Sequence, residues 1–345
     1  MMDFTQKLLL WYRDNKRALP WRNTNNPYYI WLSEIILQQT RIEQGLPYYN
    51  AFINAFPTIE HLAKAHENTV LNLWQGLGYY SRARNLHATA KLIHSDLNNQ
   101  FPAQYTNIIS LKGIGPYTAA AIASFAFKEP IGVVDGNVFR VISRFYGIYD
   151  DISLGKTRTI FQNLVNELID KKHPDLFNHA IMDFGATVCT PKKPMCNTCI
   201  FQDKCVANLK NEQDILPVKN KKITIKKRYF QFLLSENKGK IIIEQRKEKD
   251  IWQQLYQLPL LETSNNDPNI IEENLLKTHK DLQFTPFNNE PIIHKLSHQH
   301  LEITFFKAIN LKPNTQQIEV NISDLYNYGF PIVIWNFLKA HYQLD

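Results

Sequence analysis

All four cysteines of the chain fall in one window, CTPKKPMCNTCIFQDKC, at Cys189, Cys196, Cys199 and Cys205; the rest of the 345 residues contains none. A secreted protein stapled by disulfides spreads its cysteines. Crowding around one Cys-x-x-Cys reads instead as four thiolates facing one metal centre. Zinc sites usually use two Cys-x-x-Cys pairs, whereas here a single pair is flanked by gaps of six and five residues. Zinc and an iron-sulfur cluster therefore both stand as readings of the spacing. A second stretch able to do chemistry is LKGIGPYTA, Leu111 to Ala119. Gly113 and Gly115 allow a tight turn and Pro116 suits the first turn of a helix, so successive N–H groups can face a phosphate; a ligand-free corner between two helices uses the same residues. Two acids also stand out. Asp135 in VVDGNVFR occupies a helix N-cap position, which fixes a carboxylate firmly. Glu34 in SEIILQQT shares a helix face with Ile30, Trp31, Leu37 and Gln38, a partly apolar setting that raises a carboxyl pKa and keeps it a proton donor; an exposed helix glutamate is the plainer alternative.

The elements that must position these residues are helical up to about Asn208. YYIWLSEIILQQTRIEQ, SRARNLHATAKLIHSDL, PYTAAAIASFAF, GNVFRVISRFYG and TRTIFQNLVNELI each carry apolar residues at three-to-four spacing, separated by short turns. This predicts a compact all-α domain over 1–208, with a helix-turn-helix over 105–127 and a cysteine loop over 189–205. The stretch 209–228 is polar and basic and reads as a connector. Beyond Tyr229 the period drops to two: YFQFLL and KIIIEQR flank the turn-prone SENKG and predict a hairpin. LEITFFKAI predicts another strand, and IIEENLLKTHK and FPIVIWNFLKAHY predict helices, so 229–345 is α+β.

Lysine and arginine total 39 against 32 acids, a formal charge of +7, which leans toward a polyanionic partner such as nucleic acid. No run reaches the roughly 18 apolar residues of a membrane helix, and LLLWY near the start runs into Arg13 rather than a cleavage site. The chain reads as a soluble, cytoplasmic protein with no membrane partner.

Helix, LKGIGPYTA, helix, then VVDGNVFR about twenty residues on, then Cys-x6-Cys-x2-Cys-x5-Cys: this order resembles the helix-hairpin-helix DNA glycosylase superfamily in its iron-sulfur branch. Within it, LPWR (Leu19 to Arg22), SEIILQQT (Ser33 to Thr40), GLGYYSRARNL (Gly76 to Leu86) and VDGNV (Val134 to Val138) are similar to the adenine DNA glycosylases of the MutY type, from about residue 4 to Val206. The resemblance implies a multidomain protein: an all-α helix-hairpin-helix glycosylase domain whose cysteines hold a 4Fe-4S cluster, then a Nudix-like domain. Such enzymes act on double-stranded DNA containing adenine opposite 8-oxoguanine or guanine, and the chain is expected to do so as a monomer.

The same resemblance implies roles by residue. A flipped adenine needs a proton donor, and its sugar passes through a cationic state that needs a carboxylate. Glu34 would protonate the imidazole side of the base and later activate water. Asp135 would meet the anomeric carbon, with Asn137 orienting it. Tyr117 stands where strand-nicking relatives carry a lysine; a phenol forms no imine, so base removal alone is expected. Lys112 lies on the wrong side of the hairpin to substitute. Gln39, Thr40, Tyr79, Gly113 and Gly115 would contact DNA, with Gln39 and Tyr79 as wedges. Arg17, Arg22 and Leu37 would rim the adenine pocket, and Arg82 and Arg84 would meet phosphate. IIIEQRKEKDIWQQLYQLPLLE resembles the domain that recognises 8-oxoguanine, with Leu296, Ser297 and His298 at the place of a family Phe-Ser-His loop. Leucine there stacks less well than phenylalanine. Glu272 and Glu273 lack the frame of the Nudix metal box, so no pyrophosphatase activity is expected.

Overall fold

The computed structural model describes residues 3–220, 224–279 and 281–344. Residues 221–223, in the middle of the basic connector, lie outside the described residues. By contact the chain forms two compact units. Residues up to Ala63 together with those from Ala88 to 221 make the first; Lys64–His87 with those from 222 onward make the second. Where the sequence suggests one boundary region, the chain thus passes into the second unit and back before its final crossing.

The helices are α1 (Phe4–Asn15), α2 (Pro27–Ile36), α3 (Ile42–Ala55), α4 (Ile59–Lys64), α5 (Glu67–Leu73), α6 (Ser81–Asp96), α7 (Tyr105–Ile108), α8 (Pro116–Phe127), α9 (Gly136–Tyr146), α10 (Gly155–Leu168), α11 (Pro174–Thr187) and α12 (Val206–Lys210). In the first unit α2 and α8 are the central pair. In α2, Tyr28 and every residue from Ile30 to Ile36 are buried; in α8 the same holds from Thr118 to Phe125. A helix apolar on all sides belongs in the middle of a bundle, and the alanines of α8 let α2 pack closely against it. The sequence reading of YYIWLSEIILQQTRIEQ as one helix is corrected here: α2 ends at Ile36, Gln39 adopts a left-handed φ of 55°, and α3 begins at Ile42. No glycine or proline marks that break, so periodicity alone misses it.

The elements around this pair set the other groups. Asn26 caps α2 by accepting from Tyr28 N at 2.9 Å, with Pro27 at the first helical position. α8 likewise opens with a proline, Pro116, at its first position, but after Gly115, which offers no side-chain cap, and Gly113 at φ 77°. Asp135 caps α9 by accepting from Val138 N at 2.8 Å, and Gly147 ends α9 in the left-handed region. α11 packs against α1, α8 and α9. Its buried Asn178 donates to Ser124 Oγ at 2.8 Å and accepts from Val133 N at 3.0 Å, tying α11 to α8 and to the segment that delivers Asp135. At Gly185 of α11 an added Cβ would sit 2.7 Å from Asn137 Cβ and 3.1 Å from Asn137 O. The N-terminus of α9 therefore lies against bare backbone.

In the second unit, β1 (Lys226–Leu234), β5 (Leu260–Thr263), β6 (Gln283–Pro286), β7 (Ile292–Lys295) and β8 (Gln299–Ile309) form one sheet. β2 (Glu236–Asn237), β3 (Lys240–Gln245), β4 (Tyr256–Gln257) and β9 (Gln317–Asn321) form another. α13 (Pro268–Thr278) packs Ile271 and Leu275 with Leu233 and Phe306 of the first sheet, and α14 (Ile332–Tyr342) closes the chain. The expected hairpin between YFQFLL and KIIIEQR is not formed. β1 pairs with β5 and, in parallel, with β8, while β3 pairs with the short β2 across Lys238 and Gly239 at φ 49° and 73°. The turn signal was real; the chain changes sheets at Ser235 just before it.

Gly185→Ala is expected to destabilise the protein by about 1–3 kcal/mol despite the better helix propensity of alanine, because Asn137 has no room to yield. A denaturant midpoint equal to or above that of the parent would contradict this packing.

Candidate active site

The first unit contains a cavity of about 460 Å³ lined by Arg17, Arg22, Glu34, Leu37, Thr40, Tyr117, Asp135, Asn137, His179 and Met182. The buried centre of α2 supplies Glu34, the first turn of α8 supplies Tyr117, the cap of α9 supplies Asp135 and Asn137, and α11 supplies the opposite wall. Residues separated by a hundred positions in sequence thus meet because four helix segments converge.

Glu34 is 8 % exposed. Burial pushes its carboxyl up to about 7, helped by nearby Asp135 and resisted by a hydrogen bond from Tyr117 and by the Arg22 charge. At neutral pH about half of such groups hold a proton. Asp135 is fixed from two sides, by Val138 N at 2.8 Å and by Asn137 Nδ2 at 2.7 Å. Burial raises its pKa, and these donors oppose the rise. Tyr117 is hydrogen-bonded to Glu34, lies 3.5 Å from Met182 Sδ, and stays a phenol because burial and the two carboxylates push it well above its ordinary range. The site therefore holds a proton donor, an anchored carboxylate and a neutral phenol around one cavity. That set can protonate a leaving group and stabilise an adjacent cation.

The sequence missed much of the wall formed by α11. Asp183 has no solvent exposure on its side chain and binds both pocket arginines: Arg22 at 2.6 and 2.7 Å, Arg17 Nε at 2.7 Å. Burial alone would raise the Asp183 pKa; the two guanidinium groups outweigh it and hold the carboxylate low. One turn earlier, His179 stacks on Phe125 at 3.9 Å between ring centroids. Burial, then Arg22, lowers its pKa to about 3, so the ring is neutral, and Nδ1 has no hydrogen-bond partner among the described residues. A signal existed in FNHAIMDFGA, where an acid and a histidine four residues apart share a largely apolar stretch of α11.

The remaining expected residues separate into groups. Gln39 is exposed in the turn after α2, and Gly113 and Gly115 are exposed before α8; Lys112 does not line the cavity. In the second unit, Tyr79, Leu296, Ser297 and His298 line another cavity of about 460 Å³ with Trp252 and His294, and the Tyr79 and Ser297 hydroxyls are hydrogen-bonded. Tyr79, like Gln39, has a left-handed backbone, at φ 48°, which costs a non-glycine residue roughly 1 kcal/mol. The expectation that Arg82 and Arg84 are open to phosphate is corrected. Arg82 is buried, donates to Leu77 O and Gly78 O, and lies over Trp74; Arg84 donates to Gln253 O at 2.6 Å. Their charges serve internal carbonyls.

The loop after α11 brings Cys189, Cys196, Cys199 and Cys205 around one small cavity with Arg144 and Gln213. Donors face the sulfurs: Arg144 Nη1 at 3.4 Å from Cys189 Sγ, Phe201 N at 3.4 Å from Cys199 Sγ, and Gln213 Nε2 at 3.8 Å from Cys196 Sγ. Burial pushes the Cys199 thiol up to about 11. Among the described residues no three His, Cys, Asp or Glu side chains are grouped closely enough to hold a single metal ion. Four soft sulfur ligands ringed by N–H donors and the Arg144 cation fit an anionic thiolate-bound group.

The raised Glu34 pKa also fixes a stability trend. The folded protein keeps a proton that the unfolded chain releases above about pH 4.5, so this contribution is complete below that pH and is lost as pH rises through about 7. Glu34→Gln is therefore expected to be more stable than the parent at pH 8, on the order of 1–3 kcal/mol, with the difference vanishing near pH 4. Denaturant unfolding of both proteins across this range checks it; a Glu34→Gln protein that is less stable at pH 8 than at pH 4, relative to the parent, would reverse the sign.

Comparison with known proteins agrees with this layout. Residues 32–167 match the HhH-GPD superfamily of base excision DNA repair proteins, and residues 231–340 match the NUDIX domain. Over 60 % of the chain, the fold is similar to that of a thermostable thymine-DNA glycosylase, with a TM-score of 0.56 at 29 % identity and 95 % of that chain covered. It is likewise similar to an endonuclease III trapped on DNA, at 0.53 and 20 % with 94 % covered, which supports the fold. The human adenine DNA glycosylase is 40 % identical over 62 % of this chain and 41 % of its own. The adenine DNA glycosylase of Buchnera aphidicola subsp. Baizongia pistaciae is 38 % identical over 95 % of this chain and 93 % of its own length. With a likeness that spans both units and a buried acid beside a capped carboxylate, the chain belongs to the adenine DNA glycosylase family.

Proposed function

We propose that this base excision repair glycosylase removes adenine paired with 8-oxoguanine, and with guanine, acting as a monomer at the cytoplasmic nucleoid and leaving an abasic site without nicking the strand. The observation that carries the reading is the convergence of Glu34, whose carboxyl is raised to about 7, and anchored Asp135 on one cavity. Adenine enters that cavity only when flipped from the duplex. Glu34 gives its proton to a ring nitrogen on the imidazole side of the base, which turns a poor leaving group into a neutral one as the C1′–N9 bond breaks. The electron pair departs with the base, and the sugar is left as an oxocarbenium ion. Asp135, held by Val138 N and Asn137, meets that charge and is stabilised as an anion by it. Glu34, now a carboxylate, takes the proton of the water that adds to C1′. Tyr117 keeps Glu34 oriented and supplies no amine for strand cleavage.

The other expected residues take DNA-handling roles in this reading. Arg17, Arg22 and Leu37 bound the adenine, joined by neutral His179. Gly113 and Gly115 present backbone N–H groups to phosphate, Thr40 contacts DNA beside Gln39, and Gln39 and Tyr79 fill the space left by the flipped base. Leu296, Ser297 and His298 read the opposite base, and the Nudix-like unit hydrolyses no nucleoside diphosphate. Cys189, Cys196, Cys199 and Cys205 hold a 4Fe-4S cluster, which when bound stabilises the loop after α11 and supplies no redox step to base removal.

Duplexes with adenine opposite 8-oxoguanine, guanine or thymine, scored with and without alkali, test this directly. Excision is expected from the first two, with strand breaks only after alkali; intact adenine opposite 8-oxoguanine would refute the reading, and breaks without alkali would refute its monofunctional part. Glu34→Gln and Asp135→Asn are expected to bind the duplex and to lose excision by about 100-fold or more. Cys199→Ser is expected to lower the iron and sulfide content of the purified protein; an unchanged content would remove the cluster from the proposal.

A further inference from the structure

Asp183 of α11 lies behind the cavity arginines, and its geometry is that of a clamp. Arg22 reaches it with both terminal nitrogens, at 2.6 and 2.7 Å, while Arg17 Nε is at 2.7 Å and Arg17 N at 3.2 Å. The Asp183 side chain has no exposure and that of Arg22 only 8 %, so water screens neither. Among the described residues Arg22 Nε is buried without a partner, and beyond a long contact of Nη1 to Arg17 O at 3.4 Å it is Asp183 that fixes the guanidinium. Arg22 also acts electrostatically on Glu34, on Tyr117 and on His179.

The charged and titratable groups around Glu34 come from every neighbouring element: Arg17 and Arg22 from the segment before α2, Tyr117 from α8, Asp135 from α9, His179 and Asp183 from α11, Tyr12 of α1 behind Arg22, and Arg41 and Glu43 at the exposed mouth. Tyr117, Tyr12 and His179 are neutral at pH 7. Of these charges Asp135 and Arg22 act on Glu34, and Arg22 is the one that Asp183 grips with two hydrogen bonds. We propose that Asp183 is a positioning residue for adenine excision, pinning Arg17 and Arg22 to the pocket wall and offsetting their charge so that Glu34 retains its proton at neutral pH. This rests on the reading of Glu34 as the acid.

Single-turnover excision from an adenine-mismatch duplex, followed across about pH 5 to 9, tests it. In Asp183→Asn the arginine charge is uncompensated, and the alkaline limb of the rate profile is expected to fall by about one pH unit. Excision near pH 8 then drops about tenfold while the rate near pH 5.5 is largely retained. In Arg22→Gln the limb is expected to move the other way. A folded Asp183→Asn protein whose rate is reduced equally at every pH, or is unchanged, would overturn the proposal by reducing Asp183 to a packing role. Should Asp183→Asn not fold, Arg22→Gln decides: a limb displaced to higher pH supports the proposal and an unmoved limb overturns it. Glu34→Gln in the same assay separates the two readings. Activity in that variant removes the acid itself, whereas its loss together with an unmoved Asp183→Asn limb removes only the role of Asp183.

Discussion

The burial of one carboxyl group organises the first unit. A glutamate in the middle of a helix that is apolar on all sides is normally expelled to the surface or paired with a cation. Here Glu34 is neither. Its neighbours Ile30, Trp31, Ile35 and Ile36 keep α2 in the centre of the bundle, and the alanines of α8 let that helix approach closely. What meets the carboxyl is a phenol and, beyond it, a second acid. Each raises the cost of the ionised form or fails to repay it, so the group retains a proton that water would remove. The caps, the Asn178 ties and the bare backbone at Gly185 all hold the other groups to that fixed point.

The arginines complete the electrostatic arrangement by being absorbed. Two guanidinium groups at a pocket would, left alone, ionise any nearby acid. Asp183 takes the hydrogen bonds of both. In the second unit Arg82 and Arg84 instead donate to neutral carbonyl groups, which occupies their N–H donors and leaves their charge. Basic composition is therefore a poor guide to which side of a protein faces an anion. Burial of each guanidinium decides it.

Much of this was legible in the sequence. The helices α6, α9 and α10 follow their apolar period, the N-cap at Asp135 and the proline at Pro116 sit where local rules put them, and the cysteine window closes around one small cavity. Glu34, Tyr117, Asp135 and Asn137, singled out by their short motifs, line one cavity. The failures have physical causes. The break after Ile36 depends on a left-handed glutamine, which leaves no compositional trace. The strand β1 pairs with β5 and β8 rather than with β3 because pairing is decided by what each strand's two faces can bury, and the turn residues only say that the chain reverses. Asp183 and His179 share one largely apolar helix with partners far away in sequence: Asp183 binds Arg17 and Arg22, more than 150 residues earlier, and His179 stacks on Phe125 of α8, so no local spacing connects them.

The segment Lys64–His87 has a consequence for how this protein can be divided. It packs with the later part of the chain: Asn72 donates to Tyr326 O and lies beside Gly329, and Tyr80 reaches Phe330 O. A fragment ending near residue 221 would carry this stretch with its buried Leu71 and Trp74 deprived of the residues that cover them. No single cut of the polypeptide separates the two units cleanly, and neither is a self-contained cassette. The cavity around Glu34 and the loop carrying Leu296, Ser297 and His298 are thus inherited, expressed and lost together, as parts of one interleaved chain.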